Sequence, residues 1–324
     1  MTNKKKIVTI GGGTGSFMIL SELKKHDIDI TAVVTMFDSG GSTGVLRDEL
    51  GVLPAGDVRQ ALVALSNTTQ ELRDLFLYRF DAGGLEGHNF GNLFLGALEK
   101  TTGSFESALL QASQILNIKG TIEPATYEDT QLIVERSDGK ILHGEGVIDS
   151  SVIQPYKKLL LSRTTKANAK AVAAIMEADL VIINPGNFFC SILPNVLIPE
   201  ISDALKKAFA KKVFIANLMT KAGHTTNFTA EDYVKHLHKY AHGSFVTDVV
   251  VNTNYKVDNQ ETVKRYSQNG EDFVLTGNFD LKEIKIHAGD LLSRELFLQN
   301  NADKVKRSFV RHDSKKLLDV ILSL

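Results

Sequence analysis

Short apolar runs that stop at glycine- or asparagine-rich turns recur along the chain, and most are followed by a stretch with helical spacing. Ile7 to Ile10 meets Gly11-Gly12-Gly13 and is followed by Phe17, Leu20 and Leu23, which predicts strand, turn and helix. Ile28 to Phe37 ends at Asp38-Ser39-Gly40-Gly41, Leu180 to Ile183 at Asn184-Pro185-Gly186-Asn187, Val213 to Ala216 at Asn217, and Phe245 to Val251 at Asn252. These runs are apolar on consecutive positions, the pattern of parallel strands covered on both faces. Helices are expected over Val58 to Leu65, Phe105 to Ile115, Ala167 to Met176, Leu197 to Phe209 and Ala230 to Tyr240. The alternation predicts an α/β protein with a three-layer, Rossmann-like, doubly wound and mostly parallel sheet. One stretch breaks it. Thr130 to Glu135 and Lys140 to His143 flank Ser137-Asp138-Gly139, a hairpin signal, so Lys119 to Ser150 is expected to be a β-rich antiparallel insertion within a single domain spanning 1–324.

Composition narrows the class. The 37 Lys and Arg against 38 Asp and Glu leave a net charge of -1, which gives no bulk attraction to nucleic acid or to an anionic membrane. Any anionic ligand must therefore be captured locally. The single cysteine, Cys190, excludes disulfide frameworks and multi-cysteine zinc sites; it fits a reducing compartment and reads as a buried small hydrophobe. Lys4 to Lys6 precede an apolar run that ends after Ile10, short of the roughly seven apolar residues of a signal sequence and the roughly 20 of a membrane span. A cytoplasmic location with no membrane span is the expectation.

Ligands of open parallel sheets bind outside the carboxyl ends of the strands, and here those loops are polar and glycine-rich. Gly11-Gly12-Gly13-Thr14-Gly15-Ser16 lets backbone N–H groups and a helix N-terminus approach a phosphate. Ser16 stands where G-x-G-x-x-G has its third glycine, and the Lys of a Walker A loop is missing, which disfavours P-loop ATP hydrolysis. Asp38, ahead of Gly40, Gly41 and Ser42, could hold a ribose hydroxyl, carry a divalent ion or close an Asx turn. Asp57 reads either as a functional acid or as the N-cap of the helix through Leu65. His88, between Gly87 and Asn89 and ahead of Asn92, is either a hydrogen-bonded structural residue, a phosphate or sugar contact, or a general acid/base. Asn187 and Asn217 can read the edge of a base or sugar, and Lys221 or His224 can face phosphate.

Five of these motifs, in order, resemble the CofD-like family, specifically its bacterial gluconeogenesis-factor (YvcK-type) branch: the GGGTG turn, Asp38 to Arg47, Leu53 to Gln60, Gly87 to Asn92 and Asn217 to Thr225. The resemblance runs from Lys6 to Arg311-His312-Asp313. It implies a cytoplasmic Rossmann-like protein that uses a nucleotide diphosphate. Transferases of the family move a phospholactyl group from a nucleotide-activated donor with magnesium, whereas the bacterial branch is associated with gluconeogenic growth, cell shape and UDP-sugar binding. The chain departs from the family pattern at Ser39, which replaces a second acid, at Val45, which replaces an arginine, and at Asn184, Asn187 and His224. Hard cations want several oxygen ligands, so Ser39 argues against a magnesium-dependent transferase more than against ligand binding.

The reading implied is a nucleotide-sugar-binding factor, with the diphosphate on Gly11 to Gly15, polar contacts from Asp38, Asn187, Asn217 and Thr220, and Arg311 closing the site from the C-terminal segment. A protein partner is expected of such a regulator. The alternative is a phospholactyl-type transferase with magnesium on Asp38, assisted by Asp57 or His88. An NAD-dependent oxidoreductase is supported only by the first turn and Asp38.

Overall fold

A computed structural model describes residues 4–257, 259–279, 283–294 and 309–324. Its strands are β1 (Lys6–Gly11), β2 (Asp29–Val34), β3 (Thr121–Pro124), β4 (Leu132–Arg136), β5 (Ile141–His143), β6 (Tyr156–Leu161), β7 (Leu180–Ile183), β8 (Lys211–Ile215), β9 (Asp248–Asn252) and β10 (Lys285–Gly289). The helices are α1 (Gly13–Leu23), α2 (Gly41–Leu50), α3 (Gly56–Leu65), α4 (Gln70–Leu77), α5 (Phe90–Thr102), α6 (Phe105–Ile115), α7 (Glu145–Ser150), α8 (Ala169–Glu177), α9 (Leu193–Val196), α10 (Pro199–Lys207), α11 (Ala230–Tyr240), α12 (Gln260–Gln268) and α13 (Ser314–Leu322).

Seven strands form one sheet in the order β10-β9-β8-β7-β1-β2-β3, and every pairing in it is parallel. Successive side chains of a strand point to opposite faces, and the apolar runs accordingly feed two cores. Val8, Ile10, Val181 and Ile183 pack with Ile175 of α8, Leu205 of α10 and Tyr233 of α11. Ile7, Leu180 and Ile182 pack on the other side with Leu20 of α1, Leu62 of α3, Leu109 of α6 and Leu317 of α13. The result is the doubly wound, three-layer architecture that the alternation implies. The chain runs outward from β1 through β2 to β3, then returns to β7 on the other side of β1. The strand order therefore reverses between β1 and β7, and the carboxyl ends at such a reversal are where open parallel sheets place their ligand crevice.

The antiparallel excursion differs in extent from the stretch 119–150. Thr121–Pro124 belongs to the main sheet, paired parallel to β2; four residues that begin with an exposed Thr are too few to declare a buried parallel strand by pattern. The small sheet has three strands rather than a hairpin's two, ordered β5-β4-β6, and β6 lies beyond residue 150. The β4–β5 hairpin itself forms where Ser137-Asp138-Gly139 signals it. No single helix among the described residues is long and apolar enough to cross a membrane. The one bent pair that passes by length and composition, 188–196 with 199–207, places Phe189, Leu193, Ile201 and Leu205 in the core.

Candidate functional site

The turn after β1 is pressed between its neighbours. A Cβ on Gly12 would lie 1.8 Å from Asp57 Oδ2, and one on Gly15 would lie 1.8 Å from the backbone carbonyl oxygen of Pro185. The first position lets α3 reach the start of α1; the second lets the β7 loop lie against it. Asp57 does not cap its own helix, whose N-cap is Ala55. Its Oδ1 instead accepts the Gly13 N–H at 2.9 Å, so a carboxylate occupies the positive end of α1, where backbone amides would otherwise meet an anion. Thr14 and Gly15 complete this first turn.

Asp38 lies beside it. Its Oδ1 accepts the Gly40 N–H at 2.9 Å, the Asx-turn contact, and Thr43 also hydrogen-bonds to it. Gly41 and Ser42 begin α2. The third acid comes from the insertion. Glu145 opens α7, and its Oε2 faces the Ser39 N–H at 3.5 Å, while Ser39 Oγ accepts the Gly146 N–H at 2.9 Å. Thus the carboxylate missing at position 39 is matched in space by one from residue 145. Asp149, one turn along α7, takes hydrogen bonds from Asn187 and Lys221. The insertion helix so roofs the carboxyl edge of the sheet.

These acids hold their protons unusually well. Burial lifts Asp57 to about 7, reinforced by the nearby Asp38 charge and opposed by the Gly13 N–H and Arg59. Burial also lifts Glu145 to about 8, with Asp38, Asp149 and Asp57 adding to it, and raises Asp38 itself. Three half-buried acids that resist joint ionisation thus crowd the strand ends, and among the described residues the set whose ligand atoms lie within 4.8 Å of one another is Glu145, Asp149 and Cys190.

The remaining expected residues divide. Asn217 joins two strand ends: its Oδ1 accepts the Gly186 N–H at 3.1 Å and its Nδ2 donates to the Gly186 carbonyl at 2.8 Å. Asn187 extends to Asp149. His88 sits at the rim, its Nδ1 3.2 Å from Ser42 Oγ. Asn89 and Asn92 are buried and engaged by the protein. Asn89 caps α5 and donates to the carbonyls of Leu77 and Tyr78, while Asn92 accepts from Arg59 Nε and donates to Thr43 Oγ1. Thr220 is buried and exchanges two hydrogen bonds with the Asp272 backbone. Arg311 is half-buried next to His312, whose buried ring hydrogen-bonds to the Ala216 backbone at the end of β8, so the C-terminal segment does reach the strand ends. Cys190 is buried in the π-helical turn Phe188–Ile192, as a small hydrophobe would be.

Sequence reasoning missed Glu145 and Asp149, and its reading of Arg59 as a solvated first-turn residue is corrected: the side chain is buried. The first two are four apart, hence on one helical face, and that spacing was the signal available. Arg59 lies in the Leu53 to Gln60 motif, and it matters because α3 turns it toward Asp38, Asp57 and Asn92.

The sequence profile of the family described as 2-phospho-L-lactate transferase CofD matches residues 7–296. The gluconeogenesis factor of Bacillus subtilis is 37% identical over 325 residues, covering 100% of this chain and 99% of that protein. The gluconeogenesis factor of Listeria monocytogenes is 36% identical over 327 residues, covering 99% and 96%. A crystal structure of a Bacillus halodurans protein aligns with a TM-score of 0.88 at 34% identity, covering 98% of this chain and 99% of that one.

Proposed function

The chain belongs to the CofD family, within its gluconeogenesis-factor branch, and from that premise we propose that it is a nucleotide-sugar-binding factor serving gluconeogenic growth and cell shape. The observation that carries this reading is the convergence of strand-end loops at the β1/β7 reversal. There a glycine turn, a helix N-terminus and the Asn217-tied loops after β7 and β8 converge. Backbone amides of that turn suit a diphosphate, and the side-chain amides and hydroxyls around it suit a sugar. The roof over the crevice and the near-neutral chain agree with capture of one small anion rather than of a polyanion. Calorimetric titration with UDP-N-acetylglucosamine in magnesium tests it: saturable heat is expected, and none at millimolar ligand would sink it.

A second reading, a magnesium-dependent phospholactyl-type transferase, is favoured by one observation. Glu145 supplies beside Asp38 the acid that Ser39 lacks. Asp38, with Glu145 beside it, would hold the ion, which when bound would neutralise phosphate charge. Product formation from a nucleotide-activated phospholactate and a deazaflavin acceptor distinguishes this reading from binding alone.

A further inference from the structure

We propose that Asp149 is a built-in competitor for the ligand's phosphate: its carboxylate occupies donors that the β7 and β8 loops present to an anion, and a bound phosphate displaces it. This rests on the nucleotide-diphosphate reading of the crevice and adds its regulation. Asp149 Oδ1 accepts from Asn187 Nδ2, after β7, and from Lys221 Nζ, after β8. Lys221 also donates to the Asp149 backbone carbonyl at 2.9 Å. A cation and an amide meeting from two strand ends is an arrangement that suits a phosphate oxygen.

The carboxylate has a close acidic neighbour. Ligand atoms of Asp149 and Glu145 lie within 4.8 Å of one another on the same short helix, so the Asp149 charge is one of the causes that keep Glu145 protonated. The contact is also easy to open. The side chains of Lys221 and Asp149 are 35% and 46% exposed, and ion pairs so hydrated are weak. Other contacts keep α7 in place when the pair opens: Gly146 N–H on Ser39 Oγ at 2.9 Å, His224 Nε2 against the Ser151 carbonyl at 2.9 Å, and the buried Ile148. A phosphate therefore has only one side chain to move, and Lys221 exchanges a carboxylate for a more highly charged partner.

The test titrates the full chain with inorganic pyrophosphate in magnesium buffer, comparing wild type with Asp149→Ala, Asp149→Asn and Lys221→Gln. Asp149→Ala is expected to bind about tenfold tighter, Asp149→Asn to move in the same direction, and Lys221→Gln to bind more weakly than wild type. Equal or weaker binding by Asp149→Ala, or binding by none of the four, overturns the proposal. Parallel titration with UDP-N-acetylglucosamine separates it from the functional reading. Tighter pyrophosphate binding without any UDP-sugar binding keeps the competitor and removes the nucleotide sugar. UDP-sugar binding of equal strength in wild type and Asp149→Ala does the reverse.

Discussion

Gly15 is a single residue on which the packing of two loops depends. A Cβ there would meet backbone, the Pro185 carbonyl at 1.8 Å, rather than the movable end of a side chain. Gly15→Ala must lift the first turn of α1 off the β7 loop, at an expected cost of about 2–4 kcal/mol. Urea denaturation reads this directly, and Gly84→Ala, with nothing within 4 Å of its Cβ, serves as a control expected to stay within about 0.5 kcal/mol. The buried acids make a second prediction. Asp57 and Glu145 ordinarily titrate at 3.8 and 4.5 but are held at about 7 and about 8 in the fold. Between those limits the folded chain binds more protons than the unfolded one, so stability falls as pH rises. Without divalent cations, the melting temperature should decline from pH 6 to 8.5, and Asp57→Asn should flatten that decline. A melting temperature that is level or rising over this range would refute the assignment.

At the scale of elements, the strand-end loops were legible because each follows a predominantly apolar run, and a parallel strand places its ligand loop there by construction. What the pattern could not distinguish is whether a polar loop residue faces a ligand or its own fold. Gly87 to Asn92 reads as a contact loop, yet Asn89 turns inward to cap α5, whose first backbone N–H groups need partners, and Asn92 turns inward to meet Arg59 and Thr43. Asn89→Ala removes the cap of α5 together with the donor to two carbonyls, at Leu77 and Tyr78. The expected loss is about 2–3 kcal/mol, with faster hydrogen exchange at the Phe90 to Leu93 amides as the local signature. Unchanged exchange there, whatever the global stability, would contradict the capping role. The insertion was legible as antiparallel but not as a roof. Glu145 meets Ser39 across 106 residues of chain, a pairing that depends on where the β4–β6 sheet docks and leaves no mark in local periodicity.

For the whole molecule, charge sets the condition under which an anion can enter. The chain is nearly neutral, but its crevice gathers Asp38, Asp57, Glu145 and Asp149 around Arg59 and Lys221, with Asp57 already on the helix N-terminus that a phosphate would use. Adding a diphosphate to that set is unfavourable unless a divalent cation arrives with it: the acids already resist joint ionisation, and the cation lets them ionise as ligands rather than as repulsive neighbours. Binding of a UDP-sugar should therefore require magnesium, and this is visible in whole-chain stability. A ligand at one hundred times its Kd stabilises the fold by about 2.7 kcal/mol, which for a chain of 324 residues raises the melting temperature by about 4 °C. The shift is expected with UDP-N-acetylglucosamine plus magnesium, and it should disappear in EDTA and be absent with NAD. A full shift in EDTA would mean that backbone amides and Lys221 suffice, and that the carboxylates face away from the ligand.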